Sequence, residues 1–174
     1  MTNNFIEHAR NFELRDEPKM ALTFYRKALE HQCIEDAQLI DMMVILFMSQ
    51  DYEFCLKYDF SDQEQSECRE QFKYISSLPK LDSECLLAES KFWSKYFCFI
   101  FEGGELPNDF LDNLFDYSDV PVIGLSVDEI CAKRITEFKQ LYDACKNCST
   151  CRERYLMSVL RGLISVSKGR IIVN

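Results

Sequence analysis

Residues 9 to 28 read Ala9-Arg-Asn-Phe12-Glu-Leu-Arg-Asp-Glu-Pro18-Lys-Met-Ala21-Leu-Thr-Phe-Tyr25-Arg-Lys-Ala28, and this stretch decides the fold. Ala9, Phe12, Ala21, Tyr25 and Ala28 are small or aromatic residues at the offsets where two antiparallel helices meet. Pro18 falls in the first turn of the second helix, where its missing N–H costs nothing. Shifted by 34 residues the frame recurs, with Met43, Leu46 and Cys55 in the places of Ala9, Phe12 and Ala21. Ala21-Leu22 becomes Cys55-Leu56, and the turn becomes Gln50-Asp51-Tyr52-Glu53. A period of this length made of helix, turn and helix marks a repeat architecture, whose units bury their apolar faces by stacking.

On these residues the stretch resembles two tetratricopeptide repeats, roughly residues 2–35 and 36–60. The match is fuller in the first unit; Asp59 and Asp62 fall where the family has an aromatic and an alanine. The resemblance implies an all-α fold of antiparallel helical hairpins in a short solenoid, a scaffold that by itself names no partner. It also implies a groove. The lining positions fall on Asn3, Ile6, Arg10, Glu13 and Leu14 in the first unit, and on Ala37, Ile40, Val44, Phe47 and Met48 in the second. The second set is apolar throughout. Chaperone-binding members of the family grip a C-terminal carboxylate with Lys and Asn; the corresponding places here hold Ile6, Arg10 and Val44, so that clamp is absent. The expected partner site is therefore an apolar groove of Ile6, Arg10, Ile40, Val44, Phe47 and Met48, suited to a helix or an extended peptide. The alternative is that later helices of the chain fill it, because monomers rarely leave a large apolar patch bare.

Composition supports one helical domain over 1–174. Apolar residues make up 47%, with 14 Phe and 8 Tyr to fill a core and only five Gly and four Pro for turns. Residues 1–20 are polar and charged, which argues against a secretory signal. The longest apolar patch, Met42 to Met48, is far shorter than the ~20 residues of a membrane-spanning helix. Nine cysteines, scattered apart from one cluster, read as reduced thiols of the cytoplasm or nucleus. The net charge of −9 argues against general nucleic-acid binding. The charge is uneven: the first 132 residues sum to −15 and the last 42 to +6. Such asymmetry means either two solvated faces, or ends that dock on each other or on charged partners.

Helices are expected at 4–14, 18–31, 35–49, 51–58 and 62–76, the last opened by the capping box Ser61–Glu64. Residues 61–125 break the 34-residue frame. Within them the helix over 83–101 is apolar almost all round, which points to a central buried element. Pro107 to Tyr117 reads as a short helix and Val120 to Leu125 as a connector. Two further capping boxes, Ser126–Glu129 and Thr150–Glu153, open a C-terminal hairpin within 126–168. The β-prone tail 169–174 either tucks back or adds a strand to a partner.

Catalytic constellations are thin. There is no phosphate-binding Gly loop, dinucleotide fingerprint or nucleophile elbow. His8 and His31 read as structural. The carboxylates at 102, 105, 109, 112 and 116 read as a solvated face or a docking site for basic residues. Cys145, Cys148 and Cys151 form Cys-x-x-Cys-x-x-Cys, whose thiolates could share a tetrahedral Zn²⁺ at roughly 2.3 Å each, given a fourth ligand. The expected function is a non-enzymatic scaffold, adaptor or subunit of a multi-protein assembly, with no cofactor. The alternatives are a zinc module at the cysteine turn, or a regulator that sets its basic C-terminal hairpin on acidic partners.

Overall fold

The computed structural model describes residues 4–78, 84–105 and 124–173. Among them the fold is all-α, with no strand. The helices are α1 (Asn4–Leu14), α2 (Pro18–Glu30), α3 (Asp36–Met48), α4 (Tyr52–Tyr58), α5 (Asp62–Ser76) and α6 (Glu84–Phe101). A continuous run over 127–144, here α7, joins Val127–Glu129, a π-helical turn Ile130–Arg134 and Ile135–Ala144; α8 is Cys151–Val166. The expected boundaries agree to within about two residues. The helix expected at 107–117 and most of the 120–125 connector lie outside the described residues.

Local chemistry sets the helix ends. Ser61, Ser126 and Thr150 each accept a bond from the backbone N–H three residues on, and the Glu at that position reaches back to the cap. Asp51 caps α4 by accepting from the Phe54 N–H at 2.9 Å. Three helices stop the same way. Asp16, Gln32 and Asp59 adopt positive φ of 58°, 53° and 58°. The next residue then bonds back five positions: Glu17 to Phe12, Cys33 to Ala28 and Phe60 to Cys55, at 2.9, 2.9 and 3.0 Å. Asp59 thus closes α4 after seven residues.

That early stop changes the second repeat. α1 and α2 pair closely, as the first unit requires. The long helix lying along α3, however, is α5 rather than the short α4. α3 is also flanked by α2, α6 and α8. Every residue from Leu39 to Phe47 is buried, so α3 is the hub of a single core. This corrects the central place expected for the helix over 83–101. α6 buries Phe92, Trp93 and Phe97, but Lys91, Lys95, Phe99 and Ile100 on it are exposed. The elements surround α3 instead of stacking in a line. The tail folds back, with Ile171 buried and its N–H on Ser167.

Candidate functional site

A seam of buried carboxylates joins the first helices to the last. Glu13, in the last turn of α1, is fully buried. Its carboxylate accepts the Tyr25 hydroxyl at 2.6 Å and the Cys151 N–H at 2.8 Å. Cys151 is the first residue of α8, so its N–H has no partner inside its own helix. A residue 138 positions away completes that helix end, and a carboxylate is the charge the helix N-terminus favours. The tie is reciprocal: Arg154 Nη1 donates to the Glu13 carbonyl at 2.9 Å, near the C-terminal end of α1.

Two ion pairs extend the seam. Glu89 of α6 is 2% exposed; Arg152 of α8 grips it with Nε and Nη2, both at 2.6 Å. Trp93 Nε1 donates to the same carboxylate at 3.0 Å. Asp41, in the middle of α3, is 3% exposed and meets Arg10 of α1 at 2.9 Å. Removing one partner of such a pair strands a charge in a low-dielectric interior, which costs more than a surface pair is worth. Burial pushes the Glu13 carboxyl up, against the opposing pull of Tyr25, Cys151, Arg10 and Arg154. It pushes Asp41 up to about 7, despite Arg10, with Glu13 and Glu89 adding to the push.

An open cleft adjoins the seam. Its volume is about 450 Å³, and it lies between the C-terminal ends of α3 and α6, with α4 and the first turns of α8 as walls. Phe47, Met48, Phe54, Ile100, Phe101 and Tyr155 supply its apolar and aromatic surface. Phe47 anchors that floor, with ring centroids 5.2 Å from Phe101, 5.4 Å from Tyr155 and 5.5 Å from Trp93. Asp16, Asp51, Glu53, Lys57 and Arg154 bring charge to the walls.

The six expected groove residues do not line one open surface. Ile40 and Val44 are fully buried and Phe47 is 3% exposed, because α6 and α8 cover the face of α3 that a solenoid would leave open. Ile6 packs against the core, and Arg10 is committed to Asp41. Only Phe47 and Met48 also border the cleft. Among the described residues, no group of three or more His, Cys, Asp or Glu is placed to hold a metal ion. Cys145 and Cys151 are buried, and burial pushes their thiols up to about 11 and about 12. Cys148 donates its thiol to the Cys145 carbonyl at 2.8 Å.

Much of the C-terminal positive charge is spent inside the chain. Arg152 and Arg154 serve the seam, Arg170 pairs with Asp128, and Arg134 with Glu137. His8 packs on Phe24 at 5.0 Å and His31 on Phe5 at 5.2 Å. Glu102 pairs with Lys73 at 3.0 Å, while positions 109, 112 and 116 lie outside the described residues. No family model, curated protein or solved structure matches this chain. Asp41, Glu89, Arg152 and Arg154 were not singled out from the sequence. Their signal was there: Asp41 interrupts the apolar run Leu39–Met48, and Glu89 stands between Ala88 and Phe92 on an aromatic helix. A carboxylate inside such a run is either exposed or paired.

Two outcomes are expected. Arg152→Ala strands Glu89 and is expected to cost about 3–5 kcal/mol in urea denaturation. Lys73→Ala, which opens the surface pair with Glu102, is expected to cost under about 1 kcal/mol; equal costs would contradict the seam. For Asp41, the folded state keeps a proton that the unfolded chain releases near its ordinary value of 3.8. Its contribution is therefore full below about pH 4 and is lost as pH rises through about 7. Relative to wild type, Asp41→Asn is expected to gain more than about 1.4 kcal/mol between pH 5 and pH 8, the equivalent of one pKa unit. Parallel stability curves for the two proteins would contradict this.

Proposed function

We propose that the chain is a non-enzymatic interaction subunit: an all-helical scaffold that receives an apolar element of a protein partner in the cleft between α3, α4, α6 and α8. The observation that carries the reading is the cleft itself. It is open, aromatic-walled and large enough for one or two bulky side chains. Ile100, which borders it, is 45% exposed. Apolar side chains left bare beside a concave site are what a protein interface uses. The buried carboxylates favour a binding role over a catalytic one, since Glu13 and Asp41 are bonded to neighbours of the same chain. The free thiols fit a reducing compartment, cytoplasmic or nuclear.

A charge at Val44 or Phe47 would enter the core, so the test falls on the exposed Ile100. Wild-type and Ile100→Glu proteins would each be used to capture proteins from source-cell extract, with mass spectrometry of what is retained. The variant is expected to keep its far-ultraviolet circular dichroism and to lose, by about tenfold or more, a partner that wild type retains. Equal retention of the same proteins by both would count against the reading.

A further inference from the structure

The charges around the cleft are not equivalent, and their pairing selects a class of partner. Two cations stand on its walls, and both are already turned onto Asp16. Lys57 Nζ lies 2.8 Å from Asp16 and also bonds the Tyr58 hydroxyl at 2.6 Å. Arg154 Nε lies 3.4 Å from Asp16, and its Nη1 is held by the Glu13 carbonyl. The carboxylates of Asp51 and Glu53 have no cationic partner among the described residues. Asp51 accepts the Phe54 N–H with one oxygen. Both residues are exposed. The cleft therefore presents an apolar floor, a wall where Lys57 and Arg154 are both engaged by Asp16, and a negative rim at the start of α4.

Resting on the reading above, we infer that the cleft takes a segment of a protein partner that presents a bulky apolar or aromatic side chain flanked by Lys or Arg. The apolar group enters against Met48, Phe54, Ile100 and Phe101; the flanking cation lies against Asp51 and Glu53. Two other occupants carry the wrong sign. A second copy of the chain brings a net charge of −9, and Arg152, Arg154 and Arg170 of its basic end are already paired within the chain. The chain's own residues 106–123 carry four Asp and no Lys or Arg. A basic segment meets the negative rim with opposite charge, which speeds encounter and fixes orientation.

The test uses a random peptide library displayed on phage, selected on the full-length wild-type protein. Selected peptides are then titrated, as synthetic fluorescent peptides, against wild type, Ile100→Glu and the double variant Asp51→Asn/Glu53→Lys. Asn at position 51 keeps the cap of α4. The expected result is enrichment of apolar residues flanked by Lys or Arg. Binding should be lost on Ile100→Glu, weakened about tenfold or more on the double variant, and reduced at high salt. Peptides that need Ile100 but lack basic flanks, or that bind the double variant as tightly as wild type, overturn the charge selection and leave the cleft reading standing. No enrichment, or binding indifferent to Ile100→Glu, overturns the cleft reading itself. Wild-type dimerisation that Ile100→Glu abolishes makes a second copy the occupant and overturns the inference.

Discussion

The structure depends on a carboxylate in the first helix that completes the last one. Glu13 has no access to water, so its charge must be met by protein groups. Tyr25 comes from the paired helix α2, and the Cys151 N–H from the opposite end of the chain. Both donors point at one side chain only if α8 sits against the α1–α2 hairpin. Arg152 on Glu89 then fixes the same helix onto α6. The N-terminal pair, the hub α3 and the C-terminal helix thereby become one cooperative body.

This closure explains two features that a linear array would not have. The concave face of α3 is roofed, because α6 and α8 occupy the space a peptide would enter in an open solenoid. Burial of Ile40, Val44 and Phe47 is worth about 1.5–3 kcal/mol for each large side chain, and the chain keeps that gain for its own fold. What remains open is the end of the groove, where α3 and α6 finish and the short α4 cannot reach across. The opposite charges of the two ends are also accounted for in part: some of the C-terminal arginines neutralise carboxylates of the earlier helices.

Much of the local structure was legible. The three capping boxes, Pro18 and Asp51 mark helix starts by hydrogen bonds that lie within a few residues, so they need no tertiary information. The α1–α2 hairpin followed from Ala9, Ala21, Tyr25 and Ala28, whose sizes set how closely two helices approach. Position in the core was not legible. α6 carries more aromatics than any other helix and looked central, yet Lys91 and Lys95 mark an exposed side. α3 is the hub because of what surrounds it, and its one interruption, Asp41, is matched by an arginine thirty-one residues earlier in the chain. The groove was misplaced for the same reason: periodicity shows which face is apolar, and not which element covers it. Glu13 falls at a groove position of the repeat frame and its partner Cys151 in the cysteine turn; nothing in their spacing links them.

The most direct test of the closure is native-state hydrogen exchange, comparing amides of α8 with those of α3. In a body joined through Glu13 and Glu89, the interior amides of α8 and the Cys151 N–H should exchange with the same free energy as α3, by global unfolding. If α8 instead exchanges through a separate, lower-energy opening while α1 to α5 stay protected, the last helix is an appendage and the account is contradicted.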